Sequence, residues 1–169
     1  SEFILTEEKK YNMLKYLNPM VVFAEIPDEV SLAIPITNCP HRCEGCHSPE
    51  LHKDIGKDLT QRALQRLIQE QDGFITCVCF MGGDSEPNLV DMLAEVVHNC
   101  GLKVGWYSGN DRIHEAVHLK NFDYIKIGPY IKEKGSLDNP NTNQKLYKID
   151  NESLVLHDIT SKLWSSKIS

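Results

Sequence analysis

The sequence predicts an α/β protein, built as a partial, open (β/α) barrel around a mostly parallel sheet. Three observations carry that expectation. Apolar runs at strand spacing alternate with amphipathic helical stretches through residues 60–127, a pattern that sets parallel strands side by side with helices crossing between them. A glycine-rich loop, Met81-Gly-Gly-Asp-Ser-Glu-Pro87, follows one of those strands, at the end where parallel sheets place ligands. The chain has 169 residues, whereas a closed eight-stranded barrel usually takes about 250.

In chain order, residues 1–18 hold helix formers around Thr6-Glu-Glu-Lys-Lys10 and suggest a short helix within an extension over about 1–20. Residues 21–26 and 30–36 read as strands separated by the turn Pro27-Asp28-Glu29. Pro35 has no amide to give a ladder, so it belongs at a sheet edge, a strand end or a bulge. Thr60 is the expected cap of a helix to about Gln71, with Ala63, Leu64, Leu67 and Ile68 on one face and Gly73 closing it. Residues 74–80 are rich in β-branched and aromatic side chains and predict a strand. The next helix carries Leu89, Val90, Leu93, Val96 and Val97 as its stripe. It is expected to start from Asp84 or Ser85 as cap, with Pro87 in the first turn, and to end near Gly101. Residues 102–107 and 124–127 are further strands, with a short helix over about 111–119 between them. A polar, turn-rich stretch follows Pro129, then candidate strands at 145–149 and 154–156. The tail over about 158–169 has no assigned structure, and its Trp164 reads as a tail anchor, a docking residue or a surface aromatic. One domain is expected to span 1–169.

Composition sets outer bounds. Hydrophobic residues at 41% and charged residues at 25% give an ordinary globular balance. A formal charge of −6 argues against nonspecific nucleic-acid binding. There is no apolar run near the roughly 20 residues a bilayer demands, and no basic segment leads into an apolar export signal. No membrane partner is expected, and the expected location is cytoplasmic.

Cysteine usage carries the chemistry. Cys39, Cys43 and Cys46 lie within eight residues as C-x3-C-x2-C, while Cys77, Cys79 and Cys100 stand apart. A disulfide framework suits smaller exported domains. Three soft sulfurs in one loop instead select zinc, copper(I) or an iron–sulfur cluster. A structural zinc needs a fourth ligand, for which His41, His47 and His52 are candidates. An iron–sulfur cube held by three thiolates leaves one iron open to a small molecule. His41 and Arg42 add positive charge beside such a centre. Cys77 and Cys79, two apart on a predicted strand, point to one face and read as core, since a free cysteine behaves as a small hydrophobe. Cys100 reads as core or surface.

Five segments then align with a known pattern: Asn38-Cys-Pro-His-Arg-Cys-Glu-Gly-Cys-His47, Phe80-Met-Gly-Gly-Asp84, Trp106-Tyr-Ser-Gly109, Tyr124-Ile-Lys-Ile-Gly-Pro-Tyr130 and the later Asn141-Thr-Asn-Gln144. In this order they resemble the radical S-adenosylmethionine superfamily and cover most of residues 30–149. Gly45, standing where much of that superfamily has an aromatic residue, makes the chain more similar to the activases of anaerobic ribonucleoside-triphosphate reductases than to those of pyruvate formate-lyase. The acidic motif departs from the usual Gly-Gly-Glu-Pro or Gly-Gly-Asp-Pro, so Asp84 and Glu86 both remain candidates for its role.

The resemblance implies a barrel of the radical S-adenosylmethionine type with a [4Fe–4S] cluster on Cys39, Cys43 and Cys46. It implies S-adenosylmethionine held near Gly82, Gly83, Asp84 and Ser108, with His47 over the cluster or against the nucleoside. Lys126, the Gly128-Pro-Tyr130 segment and residues 141–144 would flank that pocket or the partner's entrance. The implied reaction is reductive cleavage to a 5′-deoxyadenosyl radical, which takes hydrogen from a glycine of the large anaerobic ribonucleoside-triphosphate reductase. A donor such as flavodoxin or ferredoxin would supply the electron, and no side chain need act as a proton-transfer base. Alternatives are an activase of another glycyl-radical enzyme, a small-molecule radical enzyme and, in a different class, a zinc-binding interaction module.

Overall fold

The computed structural model describes residues 13–39, 41 and 49–165. Among them the strands are β1 (Lys15–Tyr16), β2 (Met20–Val22), β3 (Ser31–Pro35), β4 (Lys57–Asp58), β5 (Cys77–Met81), β6 (Lys103–Tyr107), β7 (Tyr124–Ile127), β8 (Lys145–Ile149) and β9 (Leu156–Asp158). The helices are α1 (Gln61–Glu70), α2 (Pro87–Asn99) and α3 (Ser161–Ser165). β1 and β4 form a small antiparallel pair. The other seven strands make one open sheet in the order β2-β3-β5-β6-β7-β8-β9.

That sheet is mixed, which corrects the expected partial barrel with its mostly parallel sheet. β3, β5, β6 and β7 run parallel. β2 joins antiparallel at one side, and β8 and β9 join antiparallel at the other. Connection length explains two of the three antiparallel pairings, β2–β3 and β8–β9. Parallel neighbours need a crossover of about a dozen residues or more. Residues 23–30 and 150–155 are too short for one, so β2–β3 and β8–β9 turn back on themselves.

Local chemistry accounts for the element boundaries. Thr60 caps α1, its Oγ1 accepting from Ala63 N at 3.0 Å. Pro87 opens α2, but Glu86 occupies the cap position and makes no side-chain cap bond, so neither Asp84 nor Ser85 has the expected capping role. Pro35 is the last residue of β3, where its missing amide costs nothing. The helix expected over 111–119 is absent. Asp91 on α2 accepts from His118 N at 2.7 Å and from Asn121 Nδ2 at 3.2 Å, and lies 2.7 Å from His118 Nδ1. His114 Nδ1 accepts from Ala116 N at 3.0 Å. These side-chain bonds hold the segment in an irregular path, and only a short 3-10 turn, Leu119–Asn121, forms at its end.

The two faces of the sheet are chemically unlike. On one, Leu32, Ile34, Val78, Phe80, Val104, Trp106 and Ile125 are buried together with Leu64 of α1 and Val90, Leu93, Ala94 and Val97 of α2. On the other, Cys77, Cys79, Tyr124 and Leu146 lie under Ile26 and Leu137. Gly105 makes room there, since a Cβ at that position would collide with Ile26 Cδ1. At the amino ends of the parallel strands, buried Glu29 accepts from Thr76 Oγ1 at 2.8 Å, Tyr124 OH at 2.7 Å and Lys103 Nζ at 3.1 Å. No helix among the described residues is long and apolar enough to cross a membrane.

Candidate functional site

Because β3, β5, β6 and β7 share one direction, the segments following them emerge at the same sheet edge. The backbone stitches these segments together. Ile36 N donates to Met81 O at 2.9 Å, Gly82 N to Tyr107 O at 3.0 Å, Ser108 N to Lys126 O at 2.9 Å and Gly128 N to Asn110 O at 2.6 Å. Residues far apart in sequence thereby become neighbours.

The cysteine loop starts at this edge. Asn38 N donates to Lys53 O and Cys39 N to Leu51 O, each at 2.9 Å, while Thr37 Oγ1 donates to Ile55 O at 2.6 Å. Cys39 is partly exposed and is held at the root of the loop. Cys43, Cys46 and His47 lie outside the described residues. Among the described residues no three His, Cys, Asp or Glu side chains are grouped to hold a metal.

Gly82 and Gly83 have φ of +113° and +95°, backbone that favours glycine. Their missing side chains also serve packing. A Cβ on Gly82 would lie 3.1 Å from Ile36 O, and one on Gly83 would lie 2.6 Å from Val90 Cγ2. Trp106 Nε1 donates to Gly82 O at 2.7 Å and fixes the turn from below.

Asp84 lies at the centre of the edge. Its Oδ1 accepts from Ser108 Oγ at 2.6 Å and Asn110 Nδ2 at 3.4 Å, and its Oδ2 accepts from Gly109 N at 2.8 Å. His41 Nε2, from the cysteine loop, stands 3.0 Å from Oδ2 at ion-pair distance. Ser108 is buried, and its Oγ also accepts from Asn110 N at 3.1 Å. Lys126 Nζ donates to Ser108 O at 3.0 Å and Gly128 O at 2.8 Å, so its charge is applied to the loops themselves. Asn143 Nδ2 donates to Pro129 O at 3.1 Å and Gln144 Nε2 to Gly128 O at 3.5 Å, which brings residues 143 and 144 to this edge as well. Glu86, Ser85, Thr37, Asn38, Lys15 and Asp54 line a cavity of about 260 Å³ beside the root of the cysteine loop.

The remaining cysteines have other surroundings. Cys77 and Cys79 are fully buried on one face of β5. Burial pushes the Cys77 thiol up to about 12 and raises that of Cys79 as well, so both stay neutral. Cys100 is exposed. Trp164 anchors the tail, its Nε1 donating to Leu137 O at 3.0 Å.

Sequence reading missed the pairing of His41 with Asp84 and the reason for Gly109. A Cβ on Gly109 would lie 2.7 Å from His41 Cδ2. No local signal carries this, because the contact depends on the register of β5 against β6.

The open sheet thus brings the root of the cysteine loop, the two-glycine turn and the Ser108–Asn110 turn together at one edge. The model of the 4Fe-4S single cluster domain matches residues 30–144, and the chain belongs to that family. The match includes Cys39, Cys43 and Cys46, and implies iron–sulfur or redox chemistry in general. No curated protein and no solved structure matches the chain.

Proposed function

We propose that this chain is a radical S-adenosylmethionine activase, with its [4Fe–4S] cluster on Cys39, Cys43 and Cys46. The donor set fits such a cluster, because three thiolates in one short loop are soft ligands and leave one cluster iron without a protein ligand. Held there, such a cluster would supply one electron for reductive cleavage of S-adenosylmethionine to methionine and a 5′-deoxyadenosyl radical. The chain's own residues bind and orient. Gly82, Gly83 and Ser108 offer backbone and hydroxyl groups at the sheet edge, and His47 follows the third cysteine directly. No side chain is required to move a proton.

The observation that carries this reading is the contact between two distant motifs. His41, inside the cysteine loop, lies 3.0 Å from Asp84, inside the two-glycine turn. A cluster held by the loop would therefore face the turn that resembles a cofactor site. An open sheet does not enclose that edge by itself, which suits a large protein substrate that brings its own covering loop. The anaerobic ribonucleoside-triphosphate reductase is the proposed partner, and flavodoxin or ferredoxin the proposed donor.

The test is anaerobic mixing of the reconstituted chain with reductant, S-adenosylmethionine and the large reductase. A glycyl-radical resonance on the reductase is expected. Cleavage of the cofactor with no radical on this partner would point to another glycyl-radical enzyme or to a small-molecule substrate. Tightly bound zinc with no cleavage would point to an interaction module.

A further inference from the structure

We infer that Asp84 is a positioning residue that latches the cysteine loop, through His41, onto the ends of β5 and β6. This rests on the cluster reading above and adds a role for three residues, His41, Asp84 and Gly109.

The Asp84 carboxylate is already taken up by the protein's own groups. A carboxylate has about four acceptor sites. Ser108 Oγ and Asn110 Nδ2 take Oδ1, while Gly109 N and His41 Nε2 lie against Oδ2. Only 2% of the Asp84 side chain is exposed. An arriving ammonium group would meet a carboxylate already ringed by these groups. The carboxylate is arranged to hold the protein's own loops.

Glycine at 109 answers to the same pair of side chains. Gly109 is not among the residues with positive φ, so its backbone does not call for glycine. Space does. An ideal Cβ there would lie 2.7 Å from His41 Cδ2, 3.1 Å from Nε2 and 3.2 Å from Cγ. The imidazole ring packs across the bare Cα, and the Gly109 amide donates to the same carboxylate oxygen that His41 approaches. A ring from the cysteine loop and a missing side chain on β6's following turn are matched.

His41 is two residues from Cys39 and two from Cys43 in sequence. Fixing its ring ties the segment between the two cysteines to the ends of β5 and β6 at one point. On the cluster reading, the latch would tie the cysteine loop to the two-glycine turn, and the binding of a molecule bridging the two would depend on it.

The experiment compares wild type with His41→Ala, His41→Gln, Gly109→Ala and the double variant His41→Ala/Gly109→Ala, as full chains carrying cluster. Amide hydrogen exchange at Asn38 and Cys39 reports loop fixation. Titration of the reduced cluster's electron resonance spectrum with S-adenosylmethionine reports geometry. Both alanine variants are expected to load iron, to speed loop exchange about tenfold and to weaken the cofactor response by a similar factor, with the double variant no worse than either single one. His41→Gln, which keeps a donor near Asp84, should recover part of both. Wild-type exchange and wild-type titration in His41→Ala and Gly109→Ala would overturn the latch. If wild type itself shows no response to S-adenosylmethionine, the functional reading fails, and loop exchange alone decides the latch: faster exchange upholds it and unchanged exchange rejects it.

Discussion

Two sets of thiols in this chain have opposite surroundings, and their chemistry should separate accordingly. Cys39 is partly exposed at the ligand edge, while Cys77 and Cys79 are sealed under Ile26 and Leu137. An alkylating reagent should label Cys100 in the native apoprotein and reach Cys77 and Cys79 only after denaturant is added, as peptide mapping would show. Cys39→Ala, Cys43→Ala and Cys46→Ala should each abolish cofactor cleavage, whereas Cys77→Ala should keep the cluster and cost about 1–2 kcal/mol of stability. Burial raises the Cys77 thiol from 9.0 to about 12. The folded state thus favours the neutral thiol, and that stabilisation is complete below pH 9 and lost as pH rises toward 12. Urea unfolding of Cys77→Ala should therefore show a shallower alkaline decline than wild type. An identical decline would mean that Cys77 contributes nothing to it.

The regular elements follow rules that act over a few residues, and those were legible. Thr60 with the stripe of Leu64, Leu67 and Ile68 announces α1, and removing the cap by Thr60→Ala should cost about 1 kcal/mol in thermal or chemical unfolding. Tyr124–Ile127 and Lys145–Ile149 stand where their apolar patterns put them. Elements governed by distant partners were not legible. Residues 111–119 have helix-forming composition, yet Asp91 from α2 takes the His118 amide and holds the chain in another path. Asp84 reads locally as a helix cap, but Ser108 and Gly109 take its carboxylate once β5 and β6 are side by side. The C-x3-C-x2-C spacing is local and can be read from the sequence; the approach of His41 to Asp84 cannot, because it requires the parallel register. Gly83 answers to both scales, with φ of +95° and Val90 Cγ2 close to any added Cβ. Gly83→Ala should destabilise the protein by about 1–3 kcal/mol through backbone strain and overpacking against α2.

At the scale of the molecule, a mixed open sheet delivers four parallel strand ends to one edge and leaves that edge uncovered by sheet closure. The antiparallel strands β8 and β9 extend the sheet sideways, and Gln144, just before β8, reaches back to Gly128 at the same edge. In the proposed function this edge meets a short loop whose three sulfurs would hold a cluster short of one protein ligand. The most direct test is product analysis after anaerobic reconstitution, with iron and sulfide counted in the same preparation. The account predicts a [4Fe–4S] complement, and 5′-deoxyadenosine and methionine released together when reductant and S-adenosylmethionine are added. A folded protein that retains only zinc, or a full cluster that releases no deoxyadenosine, would contradict it.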